Sequence, residues 1–299
     1  MRFGNRGVSS NIENRRGAGG GGFGFPMGGG GGGFNLGGGG MGCGGIALII
    51  IIALIFGVNP MQLLSGGGGE MGAPPAAQRQ GITRGEAAVT NETERFVGQV
   101  LLSTEQQWQR LFQQQGQSYK PATLVFYDRR DRSGCGVAQA AMGPFYCPAD
   151  QGIYLDTSFF QELEQRLGAG GDFAQAYVIA HEVGHHVQTI TGISDRVRRA
   201  QSRASKAEAN ALQVKMELQA DCYAGVWAAA EREALEPGDV EEGLRAASAI
   251  GDDTLQKASQ GYVVPESFTH GTSAQRMEWL QRGLKSGDPA QCDTFGNSI

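Results

Sequence analysis

The sequence predicts an α+β domain, mostly α-helical with a small β-sheet, preceded by a disordered Gly-rich N-terminus and a single transmembrane helix. Three observations carry this. The 49 glycines among 299 residues crowd before Ala73, in runs such as 28–33 and 37–40. Such runs bury too little apolar surface to offset their ordering entropy. Residues 17–69 carry no charge, and within them 46–58 reads IALIIIIALIFGV. Extended to 42–64, this reaches about the twenty residues a bilayer requires. From residue 91 the composition changes to apolar residues at helical spacing, interrupted by two short β-branched and aromatic runs.

The expected organisation is a tail at 1–41, a signal-anchor helix at 42–64, a flexible linker at 65–90 and a catalytic domain at 91–299. Arg2, Arg6, Arg15 and Arg16 precede the apolar segment against the single acid Glu13. The positive-inside rule then places the N-terminus in the cytoplasm and the domain outside it. The net charge of −5 argues against a nucleic-acid partner.

Residues 92–102 place Phe96, Val97, Val100 and Leu101 at helical spacing, and Thr104 is positioned to cap a second helix. Residues 121–127 and 152–156 read as strands. Between them 133–148 reads as a Gly- and Ala-rich loop, closed by a Cys135–Cys147 disulfide in an oxidising compartment. Cys222 and Cys292 could form a second pair, with Cys43 left over at the membrane. Phe159, Phe160, Leu163 and Leu167 mark a further helix. Later helical patterns cover 240–250 and 253–258, with Asp252 and Asp253 as N-cap residues, and a last helix is capped by Thr272 or Ser273.

The chemistry concentrates at 172–188, a helical stretch with Asp172 as N-cap and Gly192 as terminator. It contains H-E-x-x-H as His181-Glu182-Val183-Gly184-His185. Residues four apart share a helix face, so both imidazoles suit a catalytic zinc, and Glu182 can serve as general base for its water. His186 points about a hundred degrees away and is not expected to be a ligand. A third ligand is needed. Glu217, in a long helical pattern after Gly192, completes a His₂Glu set, and Asp221 one turn on can orient a ligand histidine. The site therefore predicts one Zn²⁺ per chain. His270 and Arg276 are the candidates to stabilise an oxyanion.

With H-E-V-G-H-H-V-Q, E-L-Q-A-D-C-Y-A-G-V-W and H-G-T-S-x-Q-R in view, the chain resembles the bacterial family of membrane-anchored neutral zinc metallopeptidases. It is more distantly similar to gluzincin peptidases related to CAAX prenyl proteases. The resemblance implies a zincin-like fold at the bacterial inner membrane, with the domain on the periplasmic side. It also implies metal binding by His181, His185 and Glu217, catalysis by Glu182, and contact with the tetrahedral intermediate by His270 or Arg276. The expected activity is hydrolysis of a peptide or protein substrate. The alternatives are a zinc hydrolase of a non-peptide amide and a catalytically silent, metal-stabilised adaptor.

Overall fold

Apolar spacing becomes helix from the first predicted segment onward, but not always with the predicted breaks. The computed structural model describes residues 1–17, 81–296 and 298–299. The expected transmembrane helix at 42–64 and Cys43 lie outside the described residues, among which no helix is long and apolar enough to cross a membrane.

Helix α1 (Glu92–Gln114) is capped by the Asn91 side chain, which accepts from the Glu94 amide. The break expected at Thr104 is absent. Its hydroxyl donates back to the Leu101 carbonyl, and Ser103 Oγ accepts from Trp227 Nε1, so both side chains are satisfied inside one continuous helix.

The strands are β1 (Ile12–Asn14), β2 (Thr83–Arg84), β3 (Thr123–Phe126), β4 (Arg130–Ser133), β5 (Gly136–Gln139), β6 (Phe145–Cys147) and β7 (Gly152–Leu155). Five form a mixed sheet in the order β2-β1-β3-β7-β6, with β1, β3 and β7 parallel and the two edges antiparallel. β4 and β5 form a separate hairpin. Thus 133–148 is not one loop but holds two short strands, and the Cys135–Cys147 disulfide ties the hairpin to β6. A second disulfide joins Cys222 to Cys292.

The N-terminus corrects the expected domain plan. Residues 1–17, expected as part of a disordered tail, are built into the same domain as the sheet and helices that follow. β1 lies between β2 and β3, Ile12 is buried, and Phe3 packs on Phe96 at 5.9 Å between ring centroids. The arginines that read as a membrane flank are counter-ions instead: Arg16 pairs with the fully buried Glu94, and Arg6 reaches Glu231 at 2.7 Å. Main-chain hydrogen bonds cannot cross a bilayer, so β1–β3 pairing is incompatible with a topology separating these residues from the domain. At the other side of the gap the domain begins before residue 91. β2 and a 3₁₀ turn at Gly85–Ala88, with Ala88 buried, occupy what was expected as linker.

The remaining helices are α2 (Ser158–Gln165), α3 (Asp172–Ile190), α4 (Ile193–Gln201), α5 (Lys206–Ala230), α6 (Asp239–Ala249), α7 (Asp252–Gln260) and α8 (Ser273–Ser286). Leu124, Phe126, Ile153 and Leu155 of the sheet share the main core with α1, α3 and α5. Trp227 of α5 stacks on Phe173 of α3 within it. Two close crossings set the helix positions. A Cβ on Gly184, inside the H-E-x-x-H motif, would stand 3.0 Å from the Ala220 Cα, so α3 and α5 touch backbone to backbone. A Cβ on Gly283 would stand 1.9 Å from the Cys222 carbonyl oxygen, which fixes α8 against α5.

Candidate metal centre and active site

Helix α3 carries the motif. Its N-cap is Gly171 rather than Asp172, whose carboxylate instead meets the Met1 ammonium at 2.6 Å. Its C-cap is Thr191, followed by Gly192 in the left-handed conformation (φ 75°) that stops a helix. His181 and His185 leave the same face, with ring centroids 4.7 Å apart. α5 supplies Glu217 opposite them. Its Oε2 lies 3.1 Å from His181 Nε2 and 3.5 Å from His185 Nε2. Ligand atoms about 2.0–2.1 Å from a tetrahedral zinc are roughly 3.3 Å apart, so the spacing fits that ion. Among the described residues, these three form one of two groups close enough to hold a metal, the other being the all-carboxylate set Asp172, Asp239 and Glu242.

Each ligand's other polar atom is occupied. The His181 Nδ1–H donates to Asp221 Oδ1 at 2.7 Å, and the His185 Nδ1–H to Gln188 Oε1 at 2.9 Å. The Gln213 amide donates to Glu217 Oε1 at 3.0 Å. Three ligand atoms are left converging, and the outer hydrogen bonds are the usual support of a metal site. Tyr177, whose hydroxyl donates to Asp221 at 2.6 Å, completes the cradle. Tyr177, Gln188 and Gln213 were not singled out in the sequence. Each sits three or four residues from the residue it serves or neighbours, but neutral polar side chains at such spacings are common on helices.

Arg276 does not face an oxyanion. It is buried on the far side of His181, giving two hydrogen bonds of 2.9 Å to Asp221, one to the Tyr177 hydroxyl and one to the Ile250 carbonyl. A guanidinium spent in this way anchors Asp221 rather than contacting substrate. His186 is likewise not a ligand. Its Nε2–H donates to the Lys120 carbonyl at 2.6 Å, and its Nδ1 accepts from the Tyr146 hydroxyl at 3.1 Å. His270 lies in the loop between α7 and α8, with Nδ1 3.0 Å from Thr269 Oγ1 and 3.4 Å from Asp252 Oδ1.

The field of the site favours a cation. Burial opposes charge on His181, but Asp221 and Glu217 outweigh it and raise the imidazole to about 10. Burial likewise opposes the charge of Glu217, yet His185, His270 and His181 hold it well below the usual carboxylate range. Asp221, also against burial, is held down to about 2 by Arg276 and His181. Glu182 goes the other way: burial raises its carboxyl, only partly offset by His185 and His181.

A ligating imidazole must be neutral, so metal must displace the His181 proton. Zinc binding at pH 7 should release protons, and affinity should rise with pH toward about 10. Calorimetry in buffers of different ionisation enthalpy reads this directly; a heat independent of buffer would contradict it. For the metal-free fold the sign is opposite. The contribution of charged His181 is complete below pH 6.5 and is lost as pH rises through about 10.

The comparisons agree with this geometry. A family model described as "Putative neutral zinc metallopeptidase" matches residues 1–295. The chain is 48% identical over 307 residues to "Uncharacterized protein YpfJ" of Escherichia coli K12, with both chains covered fully. It is 38% identical over 260 residues to "Uncharacterized protein Rv2575" of Mycobacterium tuberculosis H37Rv, covering 81% of this chain and 85% of that one. No solved structure matches the chain. A match over nearly the whole length, N-terminal strand included, places this chain in the family of "Putative neutral zinc metallopeptidase" proteins.

Proposed function

We propose that the protein is a membrane-attached, zinc-dependent endopeptidase. The observation that carries this reading is the convergence of His181 Nε2, His185 Nε2 and Glu217 Oε2 beside a buried acid, Glu182, that the metal does not need. Bound zinc would supply a Lewis acid for the scissile carbonyl and acidify a water. Glu182 takes a proton from the attacking water and passes it to the leaving amine. Its raised proton affinity suits a group that must do both. His270 is the candidate donor to the developing oxyanion.

Two features favour this over the alternatives. β6 is an edge of the sheet, and its Tyr146 bonds to His186 next to the motif. An extended peptide can add to such an edge through main-chain hydrogen bonds, which a small non-peptide amide cannot exploit. A silent metal-stabilised adaptor has no use for a buried, desolvated Glu182. Elemental analysis of the full-length protein should give one zinc per chain. Digestion of a denatured protein should stop on chelation and return with zinc. Zinc-replete protein that cleaves nothing, or cleavage indifferent to chelator, would overturn the reading.

The apolar sequence 46–58 supports membrane attachment, and the two disulfides support an oxidising, extracytoplasmic compartment. β1 pairing then requires residues 1–17 to lie there too. In a Cys43→Ser background, Asn5→Cys and Tyr262→Cys should react equally with a membrane-impermeant maleimide applied to cells with permeabilised outer membranes. Labelling at only one of the two positions would contradict a shared compartment.

A further inference from the structure

Asp252 begins α7, a position at which an acid ordinarily caps the helix. The cap is Gly251, however, and the Asp252 carboxylate turns away from its own helix. It is 1% exposed. Its Oδ2 accepts from three consecutive backbone amides, Thr269 at 2.7 Å, His270 at 2.6 Å and Gly271 at 3.1 Å. Its Oδ1 reaches the ring of His270, 3.4 Å from Nδ1, while Thr269 Oγ1 sits 3.0 Å from the same nitrogen.

The other side of this loop rests on α5. Gly271 is in a left-handed conformation (φ 85°), and a Cβ there would stand 3.1 Å from Val214 Cγ1 and 3.4 Å from Leu218 Cδ2. Those two residues bracket the turn that carries Glu217. The loop is therefore held by Asp252 on one side and pressed on the metal-ligand helix on the other. His270 side chain, 15% exposed, sits close enough for its charge to be felt by Glu217. A neutral acceptor could serve backbone amides. A buried carboxylate is costly to desolvate, and the second oxygen directed at an imidazole is what a simple loop brace does not need.

We propose that Asp252 is a positioning residue for His270. It fixes the 269–271 loop and accepts the Nδ1–H, so that the Nε2–H of the doubly protonated ring is the donor presented to the carbonyl oxygen of a peptide substrate. Asp252 acts through His270 and touches no substrate itself. The substrate in this inference rests on the endopeptidase reading; the coupling of Asp252 to His270 does not.

The test uses zinc-loaded, full-length protein. With ¹⁵N-histidine labelling, the ring signals lost in His270→Gln identify His270. In the wild type that ring should carry a proton on Nδ1 as well as on Nε2, with the Nδ1–H signal displaced downfield by a carboxylate acceptor, and Asp252→Asn should shift it upfield. A His270 ring protonated only on Nε2 in the wild type would overturn the proposal, and this arm requires neither hydrolysis nor a foldable Asp252 variant. In kinetics, Asp252→Asn should lower kcat roughly 10–100-fold, less than the 10²–10³ of losing an oxyanion donor outright. KM and zinc content should stay within twofold. Added to His270→Gln, Asp252→Asn should cause no further loss. An undiminished loss in the His270→Gln background, or an effect on zinc content or KM in place of kcat, would show a merely structural role. Failure of the wild type to hydrolyse any peptide would sink the endopeptidase reading while leaving the spectroscopic arm to decide the coupling.

Discussion

Glu182→Gln in the full-length protein should retain close to one zinc per chain and lose hydrolysis of a denatured protein by about 10²–10⁴-fold or more. In the proposed site the metal's bonds would come from His181, His185 and Glu217, each with its remaining polar atom held by Asp221, Gln188 or Gln213. Glu182 is buried among them without contributing to that set. The amide keeps the size of the side chain and removes the proton carrier, so both water activation and proton delivery fail together. Glu217→Ala should behave differently, losing the metal along with the activity, because binding and folding energies are linked at such a site. Elemental analysis beside the protease assay separates the two variants. Undiminished cleavage by Glu182→Gln would refute the assigned base, and full zinc in Glu217→Ala would refute the third ligand.

Removing residues 1–17 should abolish cooperative folding of the domain, not merely trim a tail. β1 is internal to the sheet, and its loss leaves β2 without a partner and exposes one edge of β3. Met1, Phe3 and Ile12 leave the main core, and each fully buried side chain of that kind is worth about 1.5–3 kcal/mol. Glu94, fully buried, loses Arg16, and leaving a buried charge without its partner costs about 3–5 kcal/mol. Any two of these effects rival a large share of the roughly 5–15 kcal/mol that stabilises an ordinary domain. The truncated protein should show no sharp thermal transition by circular dichroism and should bind little zinc. A cooperative melt within a few degrees of the full-length protein would contradict the placement of β1.

How much of this was legible beforehand depended on whether the signal was local. The pentapeptide at His181–His185 and the pair Glu217 and Asp221 are read from helical spacing alone, because residues four apart must share a face whatever the helix packs against. The same holds for β3 and β7, whose β-branched and aromatic runs name themselves, and for the helices around Val240 and Asp253. The short strands β5 and β6 were not legible: three or four residues carry too little periodicity, and it is pairing to β4 for the first and to β7 for the second, with the disulfide between, that makes them strands.

What the sequence by itself determined is the candidate metal site: two imidazoles four residues apart on one helix face and a carboxylate on a second helix, which the fold brings together. Tertiary structure alone decided the roles of Arg276, Asp252 and the N-terminus. Arg276 looked like an oxyanion donor because a guanidinium is always charged, yet the tight crossing at Gly283 and Gly225 drops it behind His181, where Asp221 takes its hydrogen bonds. Asp252 looked like a helix cap, yet the loop from Thr269 to Gly271 folds onto it. Residues 1–17 looked like part of a disordered tail because they run into the glycine-rich stretch and carry four arginines against the single acid Glu13. The partners of Arg6 and Arg16, Glu231 and Glu94, lie far along the chain, and only the folded sheet brings such distant opposite charges out of water together.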